Sequence, residues 1–160
     1  MVMAALLSAA CVWDNKKEDS VEIGDEIPAF EVTMDDGTVV NAKSLKGNPL
    51  VLCFFHTGCK DCRVEFPVLQ ELYMEFAPRG VHFILIAREQ GREEIEAYWK
   101  ENGLTLPYSP QPDRKIYEKF ASSIIPRVYL TDRASVVRFM HSDNPVATLP
   151  ELAQEIKTLL

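Results

Sequence analysis

The chain has few cysteines, no surplus of positive charge and no apolar run long enough to cross a bilayer. Each shortage closes off a class. Four cysteines in 160 residues are too few to staple a secreted scaffold. The fold must therefore rest on a hydrophobic core, which a chain of this length can bury in one domain. Lys and Arg number 17 against 24 Asp and Glu, for a formal charge of −7. A nucleic-acid surface needs the opposite sign, so no nucleic-acid partner is expected. The opening stretch Met1 to Trp13 is apolar apart from Ser8, but it is too short to span a membrane. Internal repeats and low-complexity runs are also missing. Only one Cys-x-x-Cys is present and no His-x-x-x-His, which leaves structural zinc short of ligands.

That one pair is Cys59-Lys60-Asp61-Cys62. It follows the apolar run Leu50-Val51-Leu52-Cys53-Phe54-Phe55 and precedes a helical pattern. A buried strand delivering two cysteines to a helix N-terminus suits thiol–disulfide exchange. The strand fixes their position, the helix end favours a sulfur anion, and the second sulfur can close a ring with the first. Such chemistry needs neither cofactor nor metal.

Around the pair the pattern alternates between strand and helix. Ala29 to Met34 and Thr38 to Val40 flank Asp35-Asp36-Gly37, which predicts a β-hairpin. The unbroken apolar runs at 50–55 and Val81 to Ala87 predict strands covered on both faces. Lys60 to Ala77 reads as a helix with Val64, Val68, Leu69, Leu72, Tyr73 and Phe76 as its apolar stripe, kinked at Pro67. Glu93 to Asn102 reads as a helix closed by Gly103, and Asp113 as the cap of another through Phe120. Arg127 to Thr131 and Val136 to Met140 predict a second hairpin. Thr148-Leu149-Pro150-Glu151 is a capping box opening a last amphipathic helix. The sum is an α/β fold, a mixed central β-sheet with helices on both faces and an N-terminal β-hairpin.

At the start of the chain, Ser8-Ala9-Ala10-Cys11 resembles the lipobox of bacterial lipoproteins, with Ser8 where an aliphatic residue is usual. The resemblance implies a signal segment over 1–11 and a lipid anchor at Cys11. Residues 12–24 then form a polar tether and 25–160 the folded domain, on a membrane surface facing the periplasm.

The Cys-x-x-Cys after a buried strand, together with Ile125-Pro126 before a later one, resembles the thioredoxin superfamily. Within it the chain is similar to the extracytoplasmic TlpA/ResA-type thiol–disulfide oxidoreductases. The leading hairpin is shared with AhpC/TSA proteins. The resemblance implies a thioredoxin-like fold and a monomer. Its partners would be protein thiols and disulfides of the envelope and a membrane electron donor. Carried over residue by residue, Cys59 is the exposed attacking thiolate and Cys62 the buried resolving thiol. Pro126 is a cis-proline, with Ile125 offering backbone groups to substrate. Arg127 is read as a solvated side chain.

Three departures from the family pattern matter. Cys53 stands six before Cys59, where cytoplasmic members carry a buried aspartate, and is read as a small core residue. Glu89, closing the second core strand, becomes the candidate for proton transfer. Gly58 replaces a tryptophan and opens the approach to Cys59, while Lys60-Asp61 replaces the usual dipeptide. His56 and Lys60 are candidates for supporting the thiolate. Three other functions are weighed, the first a redox-inert adaptor with a thioredoxin-like binding surface, against which the intact cysteine pair argues. A peroxiredoxin-like thiol peroxidase would draw on Thr57 but lacks that group's proline, the position being Phe54. A copper-binding thioredoxin-like chaperone would use Cys59, Cys62 and His141.

Overall fold

A computed structural model describes residues 18–160. The segment 1–11 and Cys11 lie outside the described residues. Among the described residues, seven strands and three α-helices follow one another as β1 (Glu31–Thr33), β2 (Val39–Asn41), β3 (Leu50–Phe55), α1 (Lys60–Phe76), β4 (His82–Ala87), α2 (Arg92–Asn102), β5 (Tyr108–Ser109), β6 (Arg127–Thr131), β7 (Val137–His141) and α3 (Leu149–Leu159). β1 and β2 form the expected separate hairpin, turning at Gly37 with φ of 87°. The other five strands make one sheet in the order β5-β4-β3-β6-β7. β3, β4 and β5 run parallel, while β6 and β7 are antiparallel to their neighbours.

Alternation along the central strands splits the core in two. Val51, Cys53, Phe55, Phe83, Leu85, Val128 and Leu130 face one side, where α1, α2 and α3 pack. Leu50, Leu52, Phe54, Ile84, Ile86 and Tyr129 face the other, under the hairpin and the segment around Tyr117 and Phe120. The helix expected from Asp113 through Phe120 is a single 3₁₀ turn, Tyr117–Lys119. Asp113 spends its side chain on the Lys115 amide, an Asx-type turn rather than the start of an α-helix. Helical backbone thus covers both faces, but α-helix only one.

The tether expected over 12–24 joins the domain before its predicted boundary. Asp19 bridges Ala121, Val21 is buried in the second core, and the Gly24 amide donates to the Val137 carbonyl at 2.8 Å. In α1 the apolar stripe is shifted by one position at its N-terminal turn. Val64 is 55 % exposed, whereas Glu65 is only 1 % exposed and Phe66 lies beside it in the core. The cause is aromatic packing: Phe66 sits 5.4 Å from Phe55 and 5.0 Å from Trp99, ring centre to ring centre. Those contacts set the rotation of α1 on the sheet, and Glu65 is carried inward with Phe66. Pro67 lies within α1 and points to solvent, and the helix runs on through it.

This topology brings three chain segments to one edge. β3 and β4 both end there, with Phe55 opposite Ala87. β6 begins there because it runs the other way, with Arg127 opposite Phe54. The loop at 56–59, Arg88 with Glu89, and Ile125-Pro126 therefore converge, at the carboxyl ends of parallel strands where α/β sheets place their sites.

Candidate active site

Cys59 is the N-cap of α1, and its sulfur accepts a hydrogen bond from the Cys62 amide at 3.2 Å. An N-cap is the natural seat for an anionic sulfur, because the first helical amides have no partner of their own. Cys59 is partly exposed. Its Sγ also lies 3.6 Å from the carbonyl oxygen of Ile125, and the Ile125–Pro126 peptide is cis. His56, Gly58, Arg88, Glu89, Ser123, Ile124, Ile125 and Asp143 complete with Cys59 an open groove of about 610 Å³.

Cys62 is one turn further in and fully buried. Burial pushes its thiol up, and so does the hydrogen bond it makes to the Cys59 sulfur. The His56 amide and, at longer range, Arg88 oppose both without cancelling them. Behind it lies Cys53, also free and buried, whose thiol is pushed up first by burial and then by the nearby charges of Cys62, Glu65 and Cys59. Glu65 is the fourth group. It stands three residues after Cys62 on the same buried face of α1, its Oε1 has no hydrogen-bond partner, and burial lifts its carboxyl to about 7. A carboxyl that changes charge near neutrality therefore sits in the same dry pocket as the inner thiols.

The other expected residues fall elsewhere. Glu89 lies just past β4, its φ is 57°, and its carboxylate faces Arg114 at 3.4 Å and Arg88 at 3.9 Å. It lines the groove, but the carboxyl held dry beside the thiols belongs to Glu65. His56 is tied to backbone: its Nδ1 accepts from the Gly58 amide at 2.9 Å and its carbonyl from the Cys59 amide at 3.0 Å. Gly58 is what permits this, since a Cβ there would meet Nδ1 at 3.0 Å. Lys60 is exposed on the first turn of α1. Arg127, read from sequence as solvated, is 3 % exposed and paired with Glu18 and Asp19. Both acids lie within the stretch read from sequence as a tether, and nothing in their local pattern advertises the contact. His141 does have a companion, Glu155 at 2.7 Å. Among the described residues, no three His, Cys, Asp or Glu side chains converge as a metal centre.

A model of the AhpC/TSA family matches residues 23–140. The chain belongs to that family. Within it and the wider thioredoxin superfamily, the chain is similar to the thiol-disulfide oxidoreductase ResA of Bacillus thuringiensis subsp. konkukian, strain 97-27. The two are 28 % identical over 141 residues, which cover 88 % of this chain and 82 % of that one. It also resembles a solution structure from Bacteroides thetaiotaomicron named as a candidate protein disulfide isomerase. There the TM-score is 0.80 and the identity 27 %, over 89 % of this chain and 90 % of that one. A thiol:disulfide interchange protein of the thioredoxin family from Chlorobium tepidum TLS shares the fold, with a TM-score of 0.74 at 22 % identity. The match covers 85 % of this chain and 96 % of the other. Against this AhpC/TSA-family background, Glu65 is the site residue that the sequence reading missed. Its signal was available: an acid three residues after Cys62, inside a helix whose other inward positions are apolar.

Proposed function

We propose that this AhpC/TSA-family chain is a thiol–disulfide oxidoreductase that reduces disulfides in envelope proteins. The observation that carries the reading is the asymmetry of the pair. Both the amide and the thiol of Cys62 point to the Cys59 sulfur, and Cys59 alone opens into the groove beside Ile125. Kinship with proteins named thiol-disulfide oxidoreductase supports it.

In the reductive direction the Cys59 thiolate attacks one sulfur of a substrate disulfide. That S–S bond breaks, a Cys59–substrate bond forms, and the substrate's other sulfur leaves as a thiolate. Cys62 then gives its proton to the Glu65 carboxylate and attacks the Cys59 sulfur, releasing the second substrate thiolate. Two electrons have moved to the substrate, whose two thiolates take their protons from solvent, while the Cys62 proton rests on Glu65 and the chain holds a Cys59–Cys62 disulfide. Burial of the Cys62 thiol makes a local base necessary, and a carboxyl at about 7 is matched to that task at neutral pH. Ile125 offers its carbonyl, and Pro126 its fixed turn, to the extended substrate segment. We further place the domain outside the cytoplasm, lipidated at Cys11 and re-reduced by a membrane electron donor, on the strength of the apolar start and Ser8-Ala9-Ala10-Cys11.

The peroxidase reading is the weaker one. The Thr57 hydroxyl accepts from Gln90 Nε2 at 2.5 Å inside a buried pair, and Thr57 is not among the residues lining the groove at Cys59 where a peroxide would enter. The test is Cys62→Ser, expressed in the native cell. It should accumulate mixed disulfides through Cys59, recovered from the membrane fraction with a lipid mass on Cys11. Cys59→Ser should trap nothing. Peroxide consumption without trapped adducts would overturn the exchange reading, and a bare Cys11 would remove the anchor.

A further inference from the structure

Pro126 is flanked by two arrangements that end on a single side chain. On one flank, Glu18 Oε1 accepts from the amides of Ile124 at 2.8 Å and Ser123 at 2.9 Å. Its Oε2 accepts from the hydroxyls of Ser122 and Ser123, each at 2.6 Å. On the other flank, Arg127 brings Nη2 to 3.0 Å from the same Oε1 and pairs Nη1 with Asp19. The backbone reinforces the join. Ser122 donates its amide to the Glu18 carbonyl at 2.9 Å, and Ser20 donates to the Phe120 carbonyl at 2.9 Å. Arg127 is almost wholly buried while the Glu18 and Asp19 side chains keep 29 % and 31 % exposure, so the pairs are shielded from water on the arginine side and matter more than a fully exposed pair. Burial opposes the charge on Glu18, but the hydrogen bonds from Ser122, Ser123 and Ile124 outweigh it and hold the carboxyl well below its usual range. The segment being clamped is the wall of the groove: Ser123, Ile124 and Ile125 line it with Cys59. Arg88 adds a hydrogen bond to the Ser123 carbonyl from the sheet side.

Building on the exchange reading above, we propose that Glu18 is a positioning residue for protein disulfides. It fixes the 123–125 backbone so that Ile125 faces the Cys59 sulfur, and thereby sets how well an extended substrate segment docks there. A small reagent that needs only the sulfur does not depend on this clamp. The proposal adds a contribution from the residues leading into the domain to a site otherwise built from the sheet edge.

The test uses the full chain with Glu18→Ala and Glu18→Gln, insulin as the protein disulfide and iodoacetamide as the small probe. Glu18→Ala should raise the KM for insulin about tenfold. It should leave alkylation of Cys59 within about twofold and speed amide exchange at Ser123 and Ile124 about tenfold. Glu18→Gln keeps an oxygen for the amides but loses the charge toward Arg127, so its KM for insulin should rise about threefold over wild type. That variant carries the test if Glu18→Ala fails to fold. Variants that keep the wild-type KM, or that lose alkylation in step with it, would overturn the proposal alone. A wild-type chain that alkylates at Cys59 yet leaves insulin intact would sink the exchange reading and this proposal with it.

Discussion

The rim around Cys59 and the pocket behind it are built from opposite materials. The rim is open and polar, with His56, Arg88, Glu89 and Asp143 around one sulfur. The pocket is dry and holds two further thiols, Cys62 and Cys53, and the Glu65 carboxyl, whose Oε1 has no hydrogen-bond partner. A reactive sulfur can be maintained at a helix end with little help. An inner thiol in an apolar pocket cannot lose its proton unless something nearby accepts it. The difference suggests that the chemistry is divided: recognition and first attack at the rim, proton handling in the pocket.

The largest effect should come from removing the pocket's ionisable acid. After a thionitrobenzoate cap is placed on Cys59, its displacement reports attack by Cys62. Glu65→Gln should slow that displacement about a hundredfold at pH 7 and erase its inflection near pH 7. A profile unchanged from pH 5 to 9 would separate Glu65 from the chemistry. A second consequence concerns stability. The folded carboxyl keeps its proton up to about 7, while the unfolded chain releases it near the ordinary value of 4.5. Between those values the unfolded state binds fewer protons, so stability should fall as pH rises through the window and stay level above it. The loss is about 3 kcal/mol, readable as the difference in urea midpoint between pH 4.5 and 8, and Glu65→Gln should flatten it. The smallest effect is expected at Cys53. Cys53→Ala should leave displacement within about twofold and cost about 1 kcal/mol of stability. A tenfold slowing would make that thiol part of the relay.

Much of this organisation could be read from the chain. The run at 50–55, the pair at 59 and 62, and Ile125-Pro126 each carry a strong local signal, and their meeting at one sheet edge follows from strand direction. What escaped was decided by tertiary packing. Val64 and Glu65 exchanged roles because Phe66 docks on Phe55 and Trp99, a contact between elements that periodicity alone cannot phase. Arg127 reads as solvent-facing until Glu18 and Asp19, 109 and 108 positions away in sequence, are brought beside it. The segment after Asp113 has the cap of a helix, but its core contacts require Tyr117 and Phe120 to turn inward within one 3₁₀ turn.

The division between rim and pocket is tested most directly by the relative alkylation of the three described thiols with iodoacetamide at pH 7, resolved by peptide mass. Cys59 should react first, on the order of a hundredfold faster than Cys62 or Cys53. Labelling of Cys62 at the same rate as Cys59, or an inert Cys59 in the folded chain, would contradict the account.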